Sequence, residues 1–216
     1  LTPYFIPFEK NDGAEIIYEG RRVLMLGSNN YLGLTSEPRV REAAARATQE
    51  FGTSCTGSRL LNGTLKLHRE LEERLAAFVG KESALVFSTG YQTNLGTVSV
   101  LLARGDVALI DSNCHASLWE GFKLSDGKPE IFAHNKIESL TWALTQRHES
   151  NKLVIVDGVY SMTGDLAPLD QIVAQCQQHG AGLLVDDAHG IGVMGKGRGT
   201  VAHFGVTADV DLIVGT

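Results

Sequence analysis

The chain has 216 residues, a net charge of −6 and 43% hydrophobic residues, which is enough for one large globular domain or about one and a half ordinary ones. This acidic balance argues against nucleic acid as the main partner. No apolar run approaches the ~20 residues of a transmembrane helix, and the opening residues do not resemble a signal peptide. The three cysteines, Cys55, Cys114 and Cys176, form no CxxC pair, which favours a reducing, cytoplasmic compartment and no zinc site.

The first third of the chain has little regular pattern. Residues 1–36 predict an N-terminal arm and lead-in segment, with one short strand at 22–26. Helices are predicted at 38–50 and 65–79, and the long loop between them is of a length that is usually functional.

From residue 80 onward, short apolar runs alternate with helical patterns. Strands are predicted at 84–87, 107–110, 130–133, 153–156, 181–185 and 211–214. Helices are predicted at 91–103, 116–123, 137–147 and 169–179. This alternation predicts an α/β domain over residues 37–216, with a mostly parallel sheet between two layers of helices.

The run Leu183–Gly190 ends a buried strand in an acid, with a histidine three residues later. Side chains alternate along a strand, so Asp186 should face away from Val185 and Asp187. Asp186 and His189 are therefore expected at the carboxyl edge of the sheet, where open α/β sheets bind ligands. A plain capping role for this pair is the alternative.

Three further loops should reach the same edge. The loop 88–92 precedes a helix, whose N-terminus at Gly90 could bind phosphate. The loop 111–117 projects His115, which could stack on a flat ligand or transfer protons. The loop 158–165 is rich in hydrogen-bonding groups. Ordinary turns and helix caps are the alternatives for all three.

Two other interpretations of this edge are weaker. Residues 190–195 match GxGxxG, but no helix is expected to begin in the glycine-rich run 195–199 that follows, as a dinucleotide site requires. A metal site would have to use Asp186, Asp187, His189 and His115. The sequence contains no HxH or HExxH element to support one.

Four motifs together carry a family resemblance: 29–34, 161–169, 186–190 and Gly199-Thr200. With them the chain resembles the α-oxoamine synthase family, whose members are pyridoxal-phosphate (PLP) enzymes of fold type I. These enzymes condense an amino acid with an acyl-CoA and release CO2. The resemblance implies a homodimer and the large PLP-binding domain of that fold.

The resemblance also implies catalytic roles for side chains at the edge of the sheet. Asp186 would lie against the pyridine nitrogen of PLP and keep it protonated. His189, helped by Ser161, would hydrogen-bond the phenolic oxygen of the ring. His115 would stack on the ring and orient the substrate amino acid.

The remaining implied contacts concern the phosphate and the substrate carboxylate. Gly90 and Tyr91 would meet the phosphate or the edge of the ring, and Thr216 would add a hydroxyl. Asn29 would lie near the substrate carboxylate. No metal ligand is implied.

The chain starts at Leu1 rather than Met and stops at Thr216, so we expect a fragment of a longer protein. In the family, the lysine that forms a Schiff base with PLP lies shortly beyond the threonine matched by Thr216. Lys196 does not match that position. The fragment is therefore expected to lack this lysine, the substrate arginine and the small C-terminal domain.

Within the family, the loops 57–65 and 87–92 most resemble those of members that use L-serine and a long-chain acyl-CoA, so the resemblance implies these substrates. The product would be the α-amino ketone 3-ketodihydrosphingosine, an early compound of sphingolipid biosynthesis. Branches that use glycine or alanine share these motifs and stay open. A non-catalytic partner subunit of the same fold is the alternative of another class.

Overall fold

The computed structural model describes residues 4–148 and 151–216, so residues 1–3 of the predicted lead-in lie outside the described residues. The chain divides into two compact units, one ending at residue 65 and one covering residues 66–216. The predicted division between residues 36 and 37 stays a prediction.

The first unit contains a small antiparallel sheet followed by one helix. Its elements are β1 (Lys10–Asp12), β2 (Glu15–Tyr18), β3 (Arg21–Leu24), a 3-10 turn (Leu34–Ser36) and α1 (Pro38–Phe51). The helix agrees with the prediction, and Pro38 occupies its first turn as expected.

The prediction of a lead-in segment with a single short strand was wrong for β1 and β2, which precede that strand. Strands of three or four residues are too short to show an alternating pattern, so the usual signal is missing. The glycines of the turns could have indicated these hairpins. Gly13 and Gly20 adopt positive φ angles of 69° and 71° between the paired strands.

The second unit is a parallel sheet with the strand order β5–β4–β6–β7–β8. Its strands are β4 (Val107–Asp111), β5 (Lys128–Phe132), β6 (Lys152–Asp157), β7 (Gly182–Asp186) and β8 (Leu212–Val214). Its helices are α2 (Lys66–Val79), α3 (Gly90–Leu101), α4 (Ala116–Lys123), α5 (Ile137–Thr145), α6 (Leu169–His179) and α7 (Thr200–His203).

Apolar side chains fill both faces of this sheet. On one face, Val185 and its neighbours pack with residues of α5 and α6 such as Leu140 and Ile172. On the other, Leu184 packs with α3 and α4, including Leu118. The predicted three-layer αβα architecture is therefore confirmed.

One predicted strand does not form. Residues 84–87 are not paired with any strand in the described part of the chain. The backbone N–H of Val86 instead donates to Oε1 of Glu72 at 3.1 Å, and Glu72 is buried in α2. A short apolar run predicts an extended backbone, but a strand also needs a neighbouring strand, which the pattern cannot reveal.

Two boundaries depend on position in the fold. β5 begins at Lys128, two residues before the prediction, because it is an edge strand and can accept Pro129. After the GxGxxG match, residues 195–197 form only a 3-10 turn, and α7 starts at Thr200. The helix start that a dinucleotide site requires inside the motif is absent from this segment.

Across the described ranges, no helix has both the length and the apolarity needed to cross a bilayer.

Candidate active site

Three neighbouring parallel strands each end in an aspartate. Asp111 ends β4, Asp157 ends β6 and Asp186 ends β7. Asp157 and Asp186 are register partners, so their side chains lie on the same face of the sheet. The chain leaves β4 for β5 on one side and returns to β6 on the other, which makes this edge a topological switch point, where ligands bind in such sheets.

Asp186 is held by two donors in a nearly closed environment. Its side chain is 6% exposed. Oδ2 accepts a hydrogen bond from Nδ2 of Asn94 in α3 at 2.6 Å, and Oδ1 accepts one from the N–H of Ala188 at 3.1 Å. Asp187 faces the other side of the sheet, where Oδ2 accepts the N–H of Thr200 at 2.7 Å. The predicted opposite orientation of the two aspartates is confirmed.

His115 caps α4 and also presents an exposed ring at the edge of the sheet. Its Nδ1 accepts the N–H of Ser117 at 3.3 Å and lies 2.7 Å from Oγ of the same serine. Its backbone N–H donates to Oδ1 of Asp157 at 3.3 Å. The capping role that the sequence left open is therefore real, and it fixes the ring next to the aspartates.

His189 and Ser161 lie on the loops that follow β7 and β6. His189 is half-buried in the turn after Asp186. Ser161 is exposed on the loop 158–166, whose ends are joined by a bridge between Val159 and Leu166. Their predicted contacts with the phenolic oxygen of PLP stay predictions.

Asp111 is used to hold that loop. Nδ1 of His134 lies 2.9 Å from Oδ1 of Asp111, and Nε2 lies 2.8 Å from Oδ2 of Asp165. Carboxylate oxygens accept, so a protonated ring donates to both. Burial opposes the charged ring, but the hydrogen bonds to Asp111 and Asp165 outweigh it and raise the pKa of His134. A histidine between two carboxylates therefore ties the end of β4 to the loop that carries Ser161.

The predicted phosphate residues meet at the start of α3. Thr89 caps this helix, accepting the N–H of Gln92 at 3.0 Å, and the first-turn N–H groups of Gly90 and Tyr91 have no partner within the helix. Gly90 and Thr216 are in contact, because a Cβ atom at Gly90 would overlap the Thr216 side chain. Both line a cavity of about 430 Å³.

That cavity is mostly walled by apolar residues, including Phe78 and Ile213, and is not lined by Asp186 or His115. The predicted site residues thus form two groups in the structure, Gly90 with Thr216 and Asp186 with His115. Asn29 belongs to the first unit, where its Oδ1 accepts the hydroxyl of Tyr31 at 3.4 Å. Its predicted place near the substrate carboxylate stays a prediction.

Sequence reasoning missed three polar residues of the site: Asn94, Ser117 and Asp157. The first two lie inside helices, where no local pattern distinguishes them. Asp157 could have been found, because it ends a buried strand just before Gly158, as Asp186 ends β7. In the described ranges, no cluster of three or more histidine, cysteine or acidic side chains could hold a metal ion.

Burial and the charge of Asp186 raise the pKa of Asp157 from 3.8 to about 7. Burial likewise raises the pKa of Asp187 to about 6. Asp157 and Asp186 lie side by side at a buried edge of the sheet, so the folded state is destabilised when both carboxylates are charged. The pair would be stabilised by a cation placed against Asp186.

Asp157 should therefore make stability depend on pH. Between its unfolded pKa of 3.8 and its folded pKa of about 7 the folded protein binds more protons, so the free energy of unfolding falls as pH rises. We expect Asp157→Asn to remove this fall, so that its stability relative to wild type grows from pH 4 to pH 7 and then levels off. Denaturant unfolding of the PLP-free full-length proteins measures it, with Asp170→Asn on the exposed side of α6 as control. Parallel stability curves for wild type and Asp157→Asn would contradict the assignment.

Residues 21–216 match the family described as aminotransferase class I and II. The serine palmitoyltransferase of Sphingobacterium spiritivorum is 48% identical over 100% of this chain and 55% of the relative. The 8-amino-7-oxononanoate synthase of Geobacter sulfurreducens is 47% identical over 95% of this chain and 53% of the relative.

Solved structures give the same result. The serine palmitoyltransferase of Sphingomonas wittichii is 46% identical, with a TM-score of 0.96 over 99% of this chain and 54% of that chain. A serine palmitoyltransferase described as holding PLP is 40% identical, with a TM-score of 0.93 over 96% of this chain and 53% of that chain. This chain spans about half the length of the relatives it matches.

The chain belongs to the class I and II aminotransferase family. Within that family, the resemblance to the α-oxoamine synthases is confirmed, with serine palmitoyltransferases as strong relatives and 8-amino-7-oxononanoate synthases close behind. The predicted fold type I large domain is confirmed with it.

Proposed function

We propose that the full-length protein is a PLP-dependent acyltransferase that condenses L-serine with a long-chain acyl-CoA, releasing CO2 and CoA. Its product would be 3-ketodihydrosphingosine, which enters sphingolipid biosynthesis. The observation that carries the proposal is Asp186, a buried carboxylate at the switch-point edge beside His115. Relatives 48% identical over the whole chain support the choice of serine.

The residues present fit PLP. When bound, the cofactor supplies an electron sink for negative charge that develops on the substrate α-carbon. Asp186 would hold the proton on the pyridine nitrogen, and that positive ring would offset the repulsion between Asp186 and Asp157. The N-terminus of α3 at Gly90 and Tyr91, with the Thr216 hydroxyl, would bind the phosphate.

The two histidines would have different roles at the ring. His115 would stack on its face and orient the amino acid, and the exposed position of His115 at the start of α4 supports this role. His189 and Ser161 would hydrogen-bond the phenolic oxygen. The catalytic lysine is proposed to follow Thr216 in the complete protein.

We also propose a cytoplasmic homodimer. An apolar stripe along α2 is about two-fifths exposed at each position, which supports a protein contact: Leu67, Leu71, Leu75 and Phe78. Cys55, Cys114 and Cys176 are free thiols, which supports a reducing compartment.

The cofactor is tested first. We expect the purified full-length protein to be yellow and to lose its visible band on treatment with borohydride. Size-exclusion chromatography with light scattering on the same sample measures the proposed dimer. A preparation that stays colourless after incubation with PLP would reject the proposed activity and favour the non-catalytic partner subunit.

Substrate choice is tested by competition. We expect L-serine to give a higher kcat/KM than glycine or L-alanine, with palmitoyl-CoA preferred over acetyl-CoA. A site that hydrogen-bonds the serine hydroxyl would leave buried polar groups unpaired with alanine, at about 1–3 kcal/mol, or roughly tenfold to a hundredfold. If alanine wins, the protein belongs with the 8-amino-7-oxononanoate synthases, to which it is 47% identical. If glycine and acetyl-CoA win, it belongs with the glycine C-acetyltransferases.

A further inference from the structure

A continuous chain of hydrogen bonds joins Asp186 to His115 through two buried residues. Nδ2 of Asn94 lies 2.6 Å from Oδ2 of Asp186 and 2.9 Å from Oγ of Ser117. Oγ of Ser117 lies 2.7 Å from Nδ1 of His115. Asn94 is 2% exposed and Ser117 is fully buried, so both depend on these partners.

The direction of each hydrogen bond follows from chemistry. The NH2 group of an asparagine can only donate, and it has two hydrogens. Asp186 and Ser117 use both of them. The opposite orientation of the amide would place its oxygen against the carboxylate oxygen of Asp186, which is repulsive. Oδ1 of Asn94 meanwhile finds no partner among the described residues, so the two donations fix the orientation of the amide.

This orientation sets the proton on His115. Because Oγ of Ser117 accepts from Asn94, its own hydrogen is free to point at Nδ1 of His115. The backbone N–H of Ser117 also points at Nδ1, at 3.3 Å, and cannot be reversed. A nitrogen that faces two donors carries no proton, so the neutral ring must carry its proton on Nε2.

Close packing of α3 on α4 makes this reach possible. Gly121 of α4 lies against the backbone of Asn94, since a Cβ atom there would come within 2.8 Å of the Asn94 carbonyl oxygen. The two helices make the most extensive helix–helix contact in the second unit. The close packing of these two helices therefore sets the distance between His115 and Asp186.

We propose that Asn94 and Ser117 are positioning residues. They hold the His115 imidazole as its Nε2–H tautomer and at a fixed position relative to Asp186. The ring then presents one defined face and one defined donor to whatever binds at this edge. The role of that ring in acyl transfer rests on the proposed function, but its tautomer does not.

The tautomer is measured by 15N NMR on full-length protein labelled with 15N-histidine, with and without PLP. The signals of His115 are identified by subtracting the spectrum of His115→Gln. In wild type we expect an unprotonated Nδ1 and a protonated Nε2. In Ser117→Ala, where only the weak N–H contact stays, we expect the two tautomers to mix. Nδ1–H in wild type, or an unchanged His115 spectrum in Ser117→Ala, would overturn the proposal.

Activity gives a second readout. Ser117→Ala and Asn94→Leu should each lower kcat/KM about threefold to tenfold, and the double variant should lose little more than the worse single one, because both act through one chain of bonds. The control is Ser125→Ala, a serine just after α4 whose Oγ donates to the Phe122 carbonyl at 2.7 Å and accepts the Gly127 N–H at 3.3 Å, both within its own turn. If the losses of kcat/KM in the two single variants add up in the double variant, the proposal that both residues act through one chain of hydrogen bonds is overturned. Absence of any acyl transfer in wild type would reject the proposed function, and the spectra would still test the tautomer.

Discussion

Asp186→Asn should reduce kcat/KM of the PLP-loaded full-length protein roughly a hundredfold to several thousandfold. Removing one partner of a buried charge pair costs about 3–5 kcal/mol, and each 1.4 kcal/mol is tenfold in rate. An asparagine would not hold a proton on the pyridine nitrogen. It would also fit badly, because both partners of Asp186, Nδ2 of Asn94 and the N–H of Ala188, are donors. One of them would face the new NH2 group.

Asp187→Asn is the matched comparison, since it makes the same change one residue later on the opposite face of the sheet. Asp187 accepts the N–H of Thr200 and has no contact with the Asn94 network. We expect this variant to keep most of its kcat/KM when assayed well below its unfolding midpoint. Near wild-type turnover in a folded Asp186→Asn variant would show that another group holds the ring proton.

Gly190→Ala should destabilise the protein by at least about 2 kcal/mol. A methyl group at Gly190 would overlap both the carboxylate of Asp187 and the hydroxyl of Thr200. Both side chains are short and fully buried, so neither can move aside. Overpacking of this kind costs about 1–3 kcal/mol, and disturbing the hydrogen bond from Thr200 to Asp187 adds a similar amount.

Gly182→Ala is the control for this change. Gly182 starts the same strand, β7, and a Cβ atom there would meet its nearest neighbour, Oδ2 of Asp211, at 3.4 Å. Both variants gain the same small benefit from a stiffer unfolded chain, so their difference isolates the overlap. Denaturant unfolding of full-length protein measures both free energies. Equal stabilities would mean that the turn after β7 adapts, and that Gly190 is not required for packing.

The site residues at the carboxyl edge of the sheet can be predicted from local sequence patterns, because they lie at or just after the ends of strands. Asp186 was predicted correctly in position and in facing direction, since a strand alternates strictly and Asp187 must take the other side. His115 was predicted at a helix start, and it is the cap of α4. These features depend only on neighbours in the chain, which a single sequence contains.

Other features depended on residues far apart in the chain. Residues 84–87 have the composition of a strand but lie beside no pairing partner in the described chain, and Glu72 takes the Val86 N–H instead. Asn94 looks like any polar position in a helix. It becomes part of the site only because Gly121 lets α4 approach α3 closely enough to bring Ser117 and Asp186 to the same amide group. Distances between side chains of separate elements are set by how helices pack on the sheet, and that information is absent from any one stretch of sequence.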